Sequence, residues 1–138
     1  MRDERGQVTV MIVGLAFVLL VAIAVVVDAS AAYLQRSGLA TVADGAALAG
    51  TEALDLQAGY EHGFEDPVLA ESLVREAIRS YLQDTNAGER FPRLEFTVRV
   101  QGNEVRVDVR APLDLPLRVP GSPTTATIGA TGSAELAP

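Results

Sequence analysis

The residues of this sequence that could do chemistry together are few, and the densest group surrounds its single histidine, His62. Glu61 precedes the histidine, and Glu65 and Asp66 follow it within four residues. An imidazole beside carboxylates can bind a metal ion or transfer protons. These residues, however, are nearly contiguous, lack a spaced second pair of ligands, and fall in a break between two predicted helices, where solvated charges are common. We therefore expect a charged loop here, and we predict no catalytic residues, no metal and no cofactor.

The rest of the composition excludes other kinds of site. The chain has no cysteine, its serines and threonines have no histidine partner, and no glycine-rich phosphate loop is present. The net charge is −7, there is no lysine, and of the 18 acidic residues and 11 arginines only two of each precede residue 28. An acidic chain without basic clusters is a poor match for nucleic acid. We predict a non-enzymatic protein without a nucleic-acid partner.

Two aspartates of the predicted N-terminal helix suit a structural role better than a catalytic one. Asp28 directly follows an uncharged stretch, and we expect it at a membrane interface. Asp44 lies on the polar stripe of the helix. There it is either simply solvent-exposed or forms an intersubunit salt bridge with Arg36 of a neighbour, because such pairs set the register of helix bundles.

The element that must position these residues is a run of uncharged residues from Val8 to Val27. At about 1.5 Å per residue, a helix of this length covers roughly 30 Å, the thickness of the hydrocarbon core of a bilayer. Many of its residues are β-branched, but strands of this length are rare, and lipid requires that backbone hydrogen bonds be made within the segment. We predict a leader at residues 1–7 and a transmembrane helix at 8–27.

The flanking charges indicate an orientation. Arg2 and Arg5 precede the run and only Arg36 follows it closely, which favours a cytoplasmic N-terminus and an extracytoplasmic C-terminal domain. The alternative is a signal peptide cleaved after Ala31, because Ala29-Ser30-Ala31 has the A-x-A pattern. The run is longer than the roughly 7–15 apolar residues usual in such peptides, so we favour a retained anchor.

Residues 28–58 continue the helix as an alanine-rich segment. Small residues recur there at alternating steps of three and four, the spacing of a heptad seam. The small-residue seam, our candidate helix-packing surface, consists of Leu39, Ala43, Ala46, Gly50 and Ala53. The glycines of this helical segment, Gly38, Gly45 and Gly50, each cost about 1 kcal/mol of helix propensity, which close packing must offset. The seam either covers the protein's own sheet or packs on the helices of other subunits, and both can hold along different lengths of the helix.

Residues 64–138 indicate an α+β head with a helix at 67–84 and strands at about 94–101, 104–111, 113–119 and 124–136. Asp66-Pro67 provides an N-cap and a proline in the first turn. Gly102-Asn103 suits a type II′ turn, which would close a hairpin. The resulting register pairs Val100 with Val105, Val98 with Val107, Phe96 with Val109 and Leu94 with Ala111 on one face.

The predicted fold class is therefore α+β: a long N-terminal helix, half of it in the membrane, a second helix, and a small antiparallel sheet of three to four strands. This is the layout of pilin-like subunits. From Arg5-Gly6 to about Leu54 the sequence resembles the TadE/TadG-like proteins of Tad (Flp) pilus assembly. The resemblance is carried by the RG leader, the apolar run, Asp28, Tyr33, Arg36 and the tract Ala43-Asp44-Gly45-Ala46-Ala47-Leu48-Ala49.

The resemblance implies a pilin-like (pseudopilin) subunit with a defined processing site. TadE-like pseudopilins are cut by a prepilin peptidase after a glycine and carry a glutamate at the fifth mature position. The candidate cleavage site is then Gly6-Gln7. The fifth mature residue would be Met11, which departs from that pattern, and an uncleaved TadG-like subunit fits the sequence at least as well.

We expect a structural component of a Tad/Flp-type pilus or related secretion machine, anchored in the cell membrane by a single pass and acting by helix–helix self-association. Its expected partners are the membrane, itself or other pilin-like subunits, the pilus-assembly machinery and, for a cleaved subunit, a prepilin peptidase. A subunit built into a pilus would be extracellular. The alternative is an uncleaved single-pass membrane protein whose extracytoplasmic α+β head binds a ligand or partner.

Overall fold

The computed structural model describes residues 4–58, 67–113 and 126–136. The helices are α1 (Glu4–Ala58), α2 (Pro67–Asp84) and α3 (Ala87–Arg90), and the strands are β1 (Glu95–Gln101), β2 (Glu104–Leu113) and β3 (Ala126–Glu135). The predicted fold class, α+β with a long N-terminal helix and a small antiparallel sheet, is confirmed.

Helix α1 is one unbroken element of 55 residues, which makes it roughly 80 Å long at about 1.5 Å per residue. No proline or cluster of glycines interrupts it at Val27-Asp28, so the helical backbone of the apolar run passes directly into the alanine-rich segment. The membrane helix and the alanine-rich helix of the sequence prediction are therefore one continuous rod.

Helix α2 begins at Pro67, as a first-turn proline favours, and ends at Asp84. On its surface Arg75 forms an ion pair with Glu71, one turn earlier, at 2.6 Å. The predicted cap, Asp66, lies outside the described residues. Beyond α2, Asn86 adopts a left-handed conformation (φ 51°) and starts the single turn α3, which the sequence analysis did not predict.

The sheet has the order β1-β2-β3, and both pairings are antiparallel. Three of the predicted hairpin pairs are confirmed: Val100–Val105, Val98–Val107 and Phe96–Val109. Leu94 precedes β1, so the fourth predicted pair lies outside the ladder. The turn at Gly102-Asn103 fits the predicted type II′. Gly102 has a φ of 59°, whereas Asn103 is not among the non-glycine residues with a positive φ, and a type II′ turn requires a positive φ only at its first central residue.

The C-terminal half of the sheet differs from the prediction in one respect. Strand β2 does not stop before Pro112 but continues through it to Leu113, where Pro112 lies opposite Thr127 of β3. A proline is tolerated there because β1 begins only at Glu95, opposite Arg110, so β2 has a neighbour on only one side beyond that point. Most of the predicted strand 113–119 lies outside the described residues. The predicted strand at 124–136 is observed as β3.

The core lies between the inner face of the sheet, the second half of α1 and α2. Its largest fully buried side chains are Leu39, Val74, Ile78, Val105, Val107 and Val109. Glycines bring the layers together at three places on α1 and β3. A Cβ on Gly45 would overlap the Tyr81 ring and hydroxyl, a Cβ on Gly50 would lie 2.8 Å from Val74 Cγ1, and a Cβ on Gly132 would overlap the main chain of Ala43 and Asp44. These contacts offset the low helix propensity of glycine in α1.

Candidate functional site on the N-terminal helix

The two halves of α1 have opposite surroundings. Between Val8 and Val27 the large apolar side chains are 45% to 73% exposed, because no other described element covers them. Between Leu39 and Leu54, by contrast, one side of the same helix is fully enclosed by the head. The first half is therefore a free apolar rod and the second half is a structural element of the head.

A soluble monomer rarely exposes a continuous apolar surface of more than a few hundred Å². The exposed run of α1 far exceeds that, and it is the one helix among the described residues that is long and apolar enough to cross a membrane. Its fourteen Val, Ile, Leu and Phe residues each favour insertion by about 0.3–0.6 kcal/mol at the centre of a bilayer, or roughly 4–8 kcal/mol together. The surface is chemically suited to lipid or to other apolar helices, and it carries no charged group.

The small-residue seam faces the protein's own head over most of its length. Leu39, Ala43 and Ala46 have no exposed surface, and Gly50 is also buried, while Ala53 is half-buried. Strand β3 approaches the seam at Gly132, and α2 and β2 approach it at Gly50. The seam thus has partners within the chain, and its use between subunits remains a prediction. The same heptad spacing continues toward the apolar run at Ala29, Ala32 and Arg36, and this part of the helix is more open, because Ala29 and Arg36 are exposed and Ala32 is half-buried.

The structure does not bring together the two candidates for an intersubunit salt bridge. Arg36 and Asp44 are both exposed on α1, and eight residues of helix separate them by about 12 Å along the axis. Neither takes part in an ion pair within the part of the chain that the structure describes. Both side chains are therefore accessible to a neighbour, and the bridge between subunits remains a prediction.

The candidate cleavage site lies at the other end of α1. Gly6 and Gln7 belong to the helix, and open space surrounds the position of a Cβ on Gly6. Met11, which stands where pseudopilins carry glutamate, is 71% exposed. The site is sterically open in the structure, and its cleavage remains a prediction. His62 and its acidic neighbours lie outside the described residues.

The apolar surface of α1 extends further than the sequence analysis assigned. Tyr33 and Leu34 follow Asp28 by more than one helical turn and are 73% and 69% exposed. An exposed tyrosine just beyond an apolar run is typical of the layer where a membrane meets water. The position of Tyr33 just after the apolar run, visible in the sequence, would have predicted this extension of the surface.

The part of the chain that matches a known family contains this apolar surface. Residues 6–58 match the family Tad, described as Flp pilus-assembly TadE/G-like. No curated protein and no solved structure matches the chain significantly. The matched region begins at Gly6 and ends with α1, so it contains both the free apolar half of the helix and the half that supports the head. Over residues 6–58, therefore, this chain is similar to the Tad family of TadE/G-like Flp pilus-assembly proteins.

Proposed function

We propose that the protein is a non-enzymatic, pilin-like component of a Tad/Flp-type pilus or related secretion machine, and that it works by helix–helix association through the first half of α1. The pilus-related role is supported by the similarity of residues 6–58 to the TadE/G-like family. The observation that carries the proposed mechanism is the division of α1 into a half that is 45–73% exposed and apolar and a half that the head encloses.

This division suits a subunit with two successive environments. Before assembly the apolar half spans the cell membrane, with the N-terminus in the cytoplasm and the head outside. In a filament the same surface is covered by equivalent helices. Lipid and neighbouring helices are similarly apolar, so moving the helix from lipid into a filament gains no hydrophobic free energy. Close packing between the helices must favour the filament instead.

The absence of cysteine from the chain makes this proposal directly testable. Single cysteines placed one at a time along residues 10–25 are oxidised in membranes and in sheared filaments of the native host. We expect disulfide-linked dimers that peak every three to four positions, because each neighbouring helix meets only one face of this helix. A cysteine at Asn103, in the exposed hairpin turn at the far end of the head, is the control and should give no such dimer. Absence of cross-links over the whole scan would refute self-association through this surface.

The processing of the leader needs a separate measurement. The intact mass of the protein is determined in the membrane fraction and in the sheared extracellular fraction. Protein that begins at Gln7 in the sheared fraction would support a processed subunit despite Met11. A chain that begins at Ala32 would refute both the retained anchor and the pilin-like mechanism, because the apolar half of α1 would be lost.

The second candidate function is a membrane-anchored head that binds a ligand. It is favoured by one observation, an open groove of about 510 Å³ on the head, lined in part by Leu82, Leu94 and Phe96. Full-length protein confined to the membrane, together with a negative cross-linking scan, would support this alternative over a filament subunit.

A further inference from the structure

The position of Gly38 shows which end of the head lies nearest the apolar half of α1. A Cβ on Gly38 would lie 3.3 Å from Phe91 Cζ and 3.5 Å from Arg90 Nη2. Helix α3 and the turn at residues 91–94 therefore stand at the height of Gly38. Tyr33, the exposed aromatic residue at the expected membrane interface, is five residues earlier, which is about 7.5 Å along the helix axis. We call α3, the turn 91–94 and residues 36–38 of α1 the membrane-proximal end.

This end carries a surplus of positive charge in an acidic protein. It contains Arg36, Arg90 and Arg93 against one acidic residue, Glu89, although the whole chain has a net charge of −7. All three arginines are exposed. The ion pairs among the described residues are instead made by Arg75, Arg79 and Arg106. The three arginines of this end therefore form no ion pair with a carboxylate of the described residues, and neither do Arg99 and Arg110 of the sheet.

The backbone around Arg93 supports a role for its side chain. Leu94 N donates to Phe91 O at 3.1 Å, which closes a turn with Pro92 at the second position and Arg93 at the third. Arg93 has a φ of 60°. With proline before it, this is a type II turn, whose third position normally holds glycine or asparagine. Arg93 therefore has an unfavourable backbone conformation for its residue type. It lines the same groove as Leu82, Leu94 and Phe96.

We propose that the membrane-proximal end binds the phosphate groups of anionic lipids and so holds the head against the bilayer surface. The inference rests on the membrane anchoring in the proposed function, which brings these residues to the headgroup layer. Guanidinium groups bind phosphate through paired, charge-assisted hydrogen bonds. A basic residue near an anionic surface strengthens binding about fivefold, since it contributes about 1 kcal/mol. Arg36, Arg90 and Arg93 together would then shift the docking equilibrium about a hundredfold.

The test uses the full chain in vesicles and a reporter on the head. Gly88 lines the groove, and a Cβ there would meet nothing within 4 Å, so Gly88→Cys can carry a nitroxide spin label. Collision of the label with a nickel chelate attached to lipid headgroups reports how close the head lies to the membrane. Vesicles of phosphatidylcholine are compared with vesicles that contain equal parts of phosphatidylglycerol. Flotation after alkaline carbonate measures anchoring separately, so a failure of the proposed function is recognised before docking is measured.

Two triple variants of equal charge provide the comparison. Arg36→Gln, Arg90→Gln and Arg93→Gln remove the proposed lipid contacts. Arg75→Gln, Arg99→Gln and Arg106→Gln remove the same charge from elsewhere on the head.

We expect phosphatidylglycerol to increase nickel collision in the wild type and in the second triple variant. The first triple variant should lose the increase, and so should the wild type in high salt. Equal responses of the two triple variants, or collision that does not depend on phosphatidylglycerol, would overturn the proposal. So would an increase produced by inorganic phosphate alone on phosphatidylcholine vesicles, which would point to free phosphate as the ligand.

Discussion

The contact between Gly132 of β3 and the main chain of α1 is the most stringent test of the head's architecture. We expect Gly132→Ala to destabilise the full chain in detergent. A Cβ at this position would overlap the Ala43 carbonyl group and the Asp44 nitrogen, which are backbone atoms and cannot rotate away. The strand must therefore move off the helix, and overpacking of this kind costs about 1–3 kcal/mol. Gly129→Ala is the matched control, because a Cβ there would lie 3.6 Å from its nearest neighbour, Val109 O.

The difference between the two variants isolates the packing effect. Replacing glycine by alanine at a compatible position stabilises a protein by about 0.4–1 kcal/mol through the unfolded state, so we expect Gly129→Ala to be neutral or slightly stabilising. This gain is common to both variants, so they should differ by the packing cost of about 1–3 kcal/mol, or about 4–24 °C in the unfolding temperature of a head of this size. The measurement is thermal unfolding followed by circular dichroism. If the two variants unfold within about 2 °C of each other, the close approach of β3 to α1 is wrong. Ala43→Leu tests the same contact from the helix side and should be destabilising as well.

Three further substitutions test other parts of the reasoning. Leu39→Ala should destabilise the head by about 2–5 kcal/mol because the side chain is fully buried. Leu34→Ala, on the exposed side of the same helix, should change the stability by less than about 0.5 kcal/mol. Equal effects of the two substitutions in urea unfolding would contradict the assignment of the buried face of α1. Glu71→Ala should change the free energy of unfolding by no more than about 0.5 kcal/mol, because the ion pair of Glu71 with Arg75 is exposed. A loss above about 1 kcal/mol would show that this ion pair stabilises the head more than an exposed pair should. Arg93→Gly should stabilise the head by about 1 kcal/mol, because glycine adopts the left-handed conformation of residue 93 without strain. Arg90→Gly, in helix α3, should not stabilise the head. A destabilised Arg93→Gly variant would show that the arginine side chain itself supports the fold.

The sequence predicted those elements whose patterns are local. The hairpin register followed from two alternating runs joined by Gly102-Asn103, because a two-residue turn leaves only one way to align the valines. The bounds of α2 followed from Pro67 and the change of composition after Asp84. The candidate membrane span followed from length and the absence of charge.

Features that depend on distant contacts were not predictable to the same degree. The seam's composition indicated close approach but not the identity of the partner, and the fit between Ala43 and Gly132 appears only when β3 is in place. Strand β3 itself is rich in Thr, Ala and Gly, and its two glycines weakened the strand pattern. Helix α3 is a single turn, shorter than any periodic signal, and it depends on the left-handed conformation of Asn86.

The continuity of α1 has a consequence for how the head is oriented relative to the apolar run. Because no break separates Val27 from Asp28, any change in the number of residues in the apolar run is transmitted rigidly to the head. A shift of one residue turns the head by about 100° around the helix axis and moves it by about 1.5 Å, whereas a shift of seven residues restores nearly the same facing direction. The number of residues in the run therefore sets which way the head faces relative to the apolar surface of α1. One residue inserted near the middle of the run would leave hydrophobicity almost unchanged and would redirect the head by more than a quarter turn.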